Sequence, residues 1–516
     1  MKPHLLLVNP AINLKTQNRV LTDIIRVSFP MSLGHLAGYL EGARGYAVRI
    51  HDEQIVPLSD AQIEEQLSLL TPPKIIGFST LTVTSGRVYE LAARFKALDP
   101  QVTTVIGGIH ASVLPEEGLA SGGVDFVVVG EGEETLAELL SARLNDSDHT
   151  TIPGLCYRSG DGGCVRSPTR ALITDLDSLP PFPYHLFEPY KDNYSGFFSI
   201  QTSRGCPYRC IFCSQRSLTG RTYRYVSPSR ALRDIHLLVD KYGATTIRIL
   251  DDNIAAHKRR LLELLDTIIT SGVHRRTSFE APMRGDHLDA QILAKLKEAN
   301  FSLITFGLET ASDRLMGLIN KGETVQDVVG AIEMTAQAGI TVGTTLIFGL
   351  PTETSRDRWR TIRLVNSLPL DSARYNILTP YPGTPVYDQI LQGGEKIDVH
   401  PGWLNFSVQY MWENDDIPYV PTGTDKYELI FITMLANLWF YLRPRGWLKM
   451  LTKSVAGGNV VLLPSRWFLT RHLLKMVRVG IYLTRRFIRV LGKMLYSRIA
   501  LAIKSLFVKM SEEKKI

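Results

Sequence analysis

The stretch FFSIQTSRGCPYRCIFC, Phe197–Cys213, decides the fold. It opens as a short apolar strand, runs through Gln201-Thr202-Ser203-Arg204, and turns at Gly205 into a loop that carries Cys206, Cys210 and Cys213. The chain holds 5 cysteines in 516 residues, so three on one loop concentrate a single chemistry. Thiolates are soft ligands that suit zinc or iron–sulfur clusters. A structural zinc takes four protein ligands, and this loop offers three. Three thiolates on a 4Fe–4S cube leave one iron open to another ligand. Gly205 and Pro207 suit a chain that bends tightly around such a group.

Downstream the strand–helix rhythm repeats. TTIRILDDN, TSFEAPMR, LITFGLET, TVGTTLIFGLP and ARYNILTPYP alternate with helical patterns such as PSRALRDIHLLVDKYG and DAQILAKLKEAN. With FFSIQTS this predicts an α/β fold of about six β/α units over residues 196–390, a partial TIM-like barrel with its chemistry at the C-terminal strand ends.

SRGCPYRCIFC resembles the radical S-adenosylmethionine motif C-x3-C-x-Φ-C, with Phe212 in the aromatic position. The resemblance implies that Cys206, Cys210 and Cys213 hold a 4Fe–4S cluster as the catalytic and metal-binding residues, with Phe212 near the adenine of S-adenosylmethionine. It implies further contacts to that molecule at later strand ends: Asp251 and Asp252 toward the methionine ammonium, Glu280 and Arg284 toward ribose and carboxylate, Glu309 in the G-x-E element, and Gly349 near the adenine. The family's usual Gly-Gly-Glu is absent after the second strand. The implied activity is reductive cleavage to a 5′-deoxyadenosyl radical, fed by an external one-electron donor such as a flavodoxin or ferredoxin.

Upstream, residues 1–150 alternate apolar strands (HLLLVNP, KIIGFSTLT, VTTVIGGIH, VDFVVVGEGEE) with helical patterns, which predicts a doubly wound, Rossmann-like parallel sheet. In this family such a domain often binds cobalamin. GFST, GGIHAS and VVGEGEE carry that likeness, with Ser79, Thr80, Gly107, Gly108, His110, Gly130 and Glu131 as the implied cofactor contacts. GEGEE also suits docking between domains. No D-x-H-x-x-G motif is spelled: Asp234-Ile-His236 meets Val239 and Asp398-Val-His400 meets Trp403 where glycine is needed. A histidine lower ligand to cobalt of the usual kind is therefore not expected, and His35 and His110 read as packing residues or amide contacts.

Residues 151–195 read as a hairpin around Gly160–Gly163 and a Pro-rich extended linker, with Cys156 and Cys164 as idle thiols. So few cysteines make no disulfide framework, and a reducing, cytoplasmic setting is expected. Residues 391–516 read as a helical, basic region. The apolar run Leu429–Leu442 has 14 residues, too short to cross a bilayer. From Arg466 to Lys509 there are eleven Lys or Arg and no Asp or Glu, so the net +7 belongs to this tail and the body is acidic. Apolar and basic residues interleave there at helical spacing, which suits the surface of an anionic inner membrane face or packing on the barrel. No nucleic-acid-binding motif accompanies the charge.

Two branches of the family fit these residues. One is cobalamin-dependent methylation of an unactivated carbon of an apolar substrate. The other is oxidative cyclisation like that of the anaerobic magnesium-protoporphyrin ester cyclase, on a tetrapyrrole-like substrate without methyl transfer. A non-catalytic cobalamin and cluster sensor is the reading from another class. A methylthiotransferase usually brings an N-terminal cysteine set, and residues 1–150 contain no cysteine.

Overall fold

The computed structural model describes residues 3–12, 27–407, 415–443 and 480–500. Its first sheet has seven strands: β1 (Leu5–Asn9), β2 (Val48–Asp52), β3 (Ile75–Ser79), β4 (Thr103–Gly107), β5 (Phe126–Val128), β6 (Leu155–Arg158) and β7 (Cys164–Arg166), in the order β2-β1-β3-β4-β5-β6-β7. The first five are parallel. β1, LLLVN, is buried along nearly its whole length, because helices cover both faces of a parallel sheet and leave no solvent side for polar residues. Separate apolar layers on the two faces, one around Phe78 and Phe95 and one around Leu33 and Leu140, make the domain doubly wound.

The hairpin read as separate from this domain belongs to its sheet. β6 pairs antiparallel with β5, and β7 with β6, so the sheet runs on to Arg166. Cys156 is buried and Cys164 exposed, both free, and neither faces the other across the ladder.

The Pro-rich stretch is not an extended spacer. Helix α1 (Met31–Arg44) turns Gly34, Gly38 and Gly42 toward it. A Cβ on Gly34 would lie 2.0 Å from the Phe182 ring, and one on Gly42 2.6 Å from Pro180. Four-residue spacing puts the three glycines on one face, and the missing side chains form a groove for Pro180–Pro183. Phe182, Tyr184 and Phe187 are then buried around Phe29. Gly34→Val is expected to expel the Phe182 ring and destabilise the protein by about 3 kcal/mol or more, the scale of an overpacked core. A thermal melt reads it; an unchanged midpoint would show that the groove is not filled.

The second sheet follows in strict sequence order, β8 (Ser199–Ile200), β9 (Thr246–Ile249), β10 (Ser278–Met283), β11 (Phe301–Glu309), β12 (Thr341–Phe348) and β13 (Ser372–Ile377), all parallel. This is the open six-unit barrel the sequence predicts. Its last edge is covered by helix α2 (Lys426–Tyr441). The Asn437 amide receives the Tyr375 N–H at 3.4 Å and donates to the Tyr375 carbonyl at 3.2 Å, and the Tyr441 hydroxyl donates to the Ala373 carbonyl at 3.1 Å. The 14-residue apolar run lies in this helix and the residue after it, with Leu429, Ile430, Met434 and Phe440 buried. No helix among the described residues is long and apolar enough to cross a membrane. Residues 480–500 form a further helix, α3.

Candidate active site

The cysteine loop starts from a strand end that Asp251 fixes. One carboxylate oxygen accepts the Thr202 N–H at 2.6 Å and the Ser203 N–H at 3.0 Å, and the other accepts the Thr202 hydroxyl at 2.6 Å. Arg260 donates to the Thr202 carbonyl at 2.9 Å. Asp251 is therefore committed to the chain itself, which corrects its assignment to an ammonium group. Asp252 has an exposed edge and accepts the Gly205 N–H. Desolvation by the surrounding protein, and then the Asp251 charge, push its carboxyl up to about 6.

The rest of the loop is pinned at several points. The Ile211 N–H donates to the Ile319 carbonyl at 3.0 Å, and the Val386 N–H to the Ile211 carbonyl at 3.1 Å. Tyr208 lies under the Arg284 guanidinium, 3.6 Å from ring centroid to carbon, and its hydroxyl bonds His287. Phe212 packs half-buried on the barrel core. The three thiols are free and half-buried. Burial raises all three, Cys210 to about 11, so metal must displace a proton from each.

Of the remaining residues expected around S-adenosylmethionine, Arg284, Glu309 and Gly349 stand at C-terminal strand ends, whereas Glu280, expected there too, lies in the middle of β10, and most are already paired. Glu280 bonds Arg248 at 3.0 Å. Arg284 grips Asp286 at 3.0 and 2.8 Å and the Lys321 carbonyl at 2.6 Å. Glu309 holds Lys321 at 2.9 Å, and Lys321 reaches Glu323 at 3.2 Å. Glu309 sits at φ +58, left-handed for a side chain that rarely goes there, where the β11–β12 register shifts. Gly349, at φ +81, donates its N–H to Glu353. Lys321, Glu323 and Tyr208 carried no sequence signal. The first two follow a helix with no motif, and Tyr208 fills an unconstrained position between cysteines.

Between the two sheets lies a cavity of about 270 Å³. Ser79, Gly107, Gly108, Gly130 and Glu131 line it from the first domain, and Gln201, Arg204, Gln215 and Leu218 from the barrel. Gly108 is held at φ +97, and a Cβ there would sit 2.9 Å from the Thr80 carbonyl oxygen. Thr80 is buried behind it with an unpartnered hydroxyl. His35 also lines the cavity, and its buried Nε2 has no partner. Burial, with the Arg204 and Arg230 charges, lowers its pKa to about 3, which keeps the imidazole neutral. His110 does not line this cavity. Its ring meets Trp403 at 5.4 Å and its Nε2 stands 3.6 Å from Glu117, so it packs against the C-terminal region.

Glu131 has a second duty. It accepts Arg204 at 3.2 Å and Arg224 at 2.8 Å, while Glu133 accepts the other arm of Arg204 at 2.7 Å. All four side chains are buried, two from each domain. GEGEE thus both lines the cavity and docks the domains, and its partner Arg204 stands inside the SRGC of the cysteine motif.

Both implied groups fit. The cysteine loop offers three free, half-buried thiols, the soft donors that an iron–sulfur cluster takes at three of its irons. The cavity offers bare glycine backbone, small hydroxyl residues and the orphaned His35 nitrogen to a large ring with amide arms.

Residues 200–365 match the Radical SAM superfamily, and residues 22–140 match the B12 binding domain. The chain is 29% identical over 424 residues to an uncharacterized methyltransferase of Pyrococcus horikoshii, covering 81% of this chain and 89% of the relative. It is 26% identical over 381 residues to the anaerobic magnesium-protoporphyrin IX monomethyl ester cyclase of Rubrivivax gelatinosus, covering 72% and 67%. In fold it is similar to the radical S-adenosylmethionine methyltransferase TsrM of Kitasatospora setae, solved with cobalamin and a [4Fe-4S] cluster, with TM-score 0.67, 18% identity, and 86% and 92% of the two chains covered.

Proposed function

From the premise that this chain belongs among the cobalamin-binding radical S-adenosylmethionine enzymes, we propose that it methylates an unactivated carbon of a small apolar substrate. The observation that carries this reading is the position of Arg204. Its side chain lines the cavity between the domains, and its backbone leads within two residues to Cys206, which supports reading the two cofactor sites as neighbours at one junction. A substrate held there lies within reach of both, and holding it converts two encounters into one bound geometry.

When bound, the cluster supplies the electron that cleaves S-adenosylmethionine to a 5′-deoxyadenosyl radical, and cobalamin supplies the methyl group. The chain's own residues hold and orient. Cys206, Cys210 and Cys213 would ligate the cluster. Asp252, beside the cysteine loop through its bond to Gly205, would accept the methionine ammonium that Asp251 cannot. Glu280, Arg284, Glu309, Gly349 and Phe212 would shape the rest of that pocket, with Glu309 set in place by Lys321. Ser79, Gly107, Gly108, Gly130 and Glu131 would face cobalamin, with Thr80 buttressing the glycine turn. The electron is expected from an external one-electron donor such as a flavodoxin or ferredoxin, and the expected setting is the cytoplasm.

The likeness to the cyclase supports a second reading, oxidative ring closure of a tetrapyrrole-like substrate. Product mass separates the two. Incubation of the reconstituted, reduced protein with S-adenosylmethionine and candidate apolar substrates is expected to yield 5′-deoxyadenosine and a product heavier by one CH₂. An oxidised product without added carbon would replace methylation by cyclisation. No 5′-deoxyadenosine with any substrate would favour a sensor.

A further inference from the structure

Helix α3 carries apolar residues on two sides, and among the described residues only one side packs against the rest of the chain. On the used side Val490 and Met494 are buried, and Phe487 meets Phe431 of α2 with ring centroids 5.1 Å apart. Polar pins fix this contact. Arg486 and Lys493 both bind Asp415, the Ser497 hydroxyl donates to Asp425 at 2.6 Å, and Arg498 bonds Glu428 at 3.1 Å. These basic residues are therefore engaged with the body of the protein.

The other side faces solvent. Ile481, Ile488, Leu495 and Ile499 are 47, 60, 49 and 59% exposed, and Tyr496 is 76% exposed. Steps of seven, seven and four residues keep the four aliphatic side chains on one helix face. Arg485 and Arg489 are exposed among them, and residues 480–500 contain no Asp or Glu. The pairings of Asp425 with Ser497 and Phe431 with Phe487 run α2 and α3 antiparallel.

A continuous exposed apolar stripe marks a docking surface. Its charge selects the occupant. A second copy seated on this face would bring Arg485 and Arg489 near their own equivalents, like charge against like with no acid to compensate. An anionic bilayer satisfies both components: the aliphatic side chains enter the boundary of the acyl region while the guanidinium groups meet lipid phosphates. We propose that the Ile481–Ile499 face of α3 is a docking surface for an anionic lipid bilayer. The reaction at the domain junction does not enter the argument, so the two readings stand or fall separately.

The test is flotation of the full-length protein with vesicles of phosphatidylcholine alone or mixed with phosphatidylglycerol. Binding is expected to the mixed vesicles, to weaken with salt, and to be slight on phosphatidylcholine. The double variant Ile488→Glu, Leu495→Glu should lower partitioning roughly tenfold or more, with unchanged circular dichroism, since both side chains are exposed. Lys493→Met, which removes a basic residue held by Asp415, should keep most of the binding. Undiminished binding by the double variant, or equal binding to neutral and anionic vesicles, would overturn the proposal. So would light scattering that shows a dimer which the double variant dissociates, since the face would then belong to a second copy.

Discussion

Cys213→Ala is expected to leave the protein folded and to abolish 5′-deoxyadenosine formation, a fall of more than about a thousandfold, because no other group on the loop can restore the third ligand. The chain itself pins the loop before and between its cysteines. Ile211 is tied through its N–H to Ile319 and through its carbonyl to Val386, and Asp251 holds the strand end before it. The lesion should therefore be local. Iron and sulfide counted after anaerobic reconstitution should fall well below the wild-type value, while cobalamin retained by the first domain should stay near it. Iron content equal to wild type would remove Cys213 from the ligand set. Parallel loss of cobalamin and of circular dichroism would mean that the loop is a folding element, and the argument from its pinning would fail.

Arg204→Met should have the largest effect on stability. It strips Glu133 of its guanidinium and leaves Glu131 with Arg224 as its one charged partner beside the Ile173 N–H, inside an interface where all four side chains are buried. Breaking a buried ion pair from one side leaves an uncompensated charge and costs on the order of 3–5 kcal/mol. The same side chain forms part of the cavity wall, so cobalamin retention should fall with it. Urea denaturation of Arg204→Met, Glu133→Gln and the double variant closes a cycle. The double variant should recover much of the loss, because it removes the orphaned charge with its partner. A single-variant cost below about 1 kcal/mol would place the pair in the class of surface bridges.

What the sequence disclosed was what contiguous residues encode. The cysteine spacing, the strand before it and the six β/α units are local patterns, and each was found where its period put it. The apolar strands of residues 1–150 likewise forecast a sheet covered on both faces. What stayed hidden depends on partners far away in sequence. Asp251 looked like a free acid at a strand end until its contacts to Thr202 and Ser203, across 49 and 48 residues, were visible. Pro180–Pro183 read as a spacer because nothing in it reveals that Gly34, Gly38 and Gly42 have cleared a groove for it. His110 sits in a stretch that resembles a cofactor loop, yet Trp403 claims it. The tail posed membrane against barrel as alternatives, whereas α3 uses one face for packing on α2 and exposes apolar side chains on the other. The remainder of residues 466–509 lies outside the described residues.

The open end of the barrel has one more consequence. A parallel sheet that stops at six strands exposes a row of backbone donors and acceptors that would template a strand from any neighbouring chain. At Tyr375 that invitation is withdrawn by one side chain: the Asn437 carboxamide gives and takes a hydrogen bond as a peptide group of an adjoining strand would. The Tyr441 hydroxyl caps the Ala373 carbonyl in the same row. A helix thus counterfeits the next strand. The sheet can stay unclosed, with a wide mouth, and still refuse to polymerise along its edge.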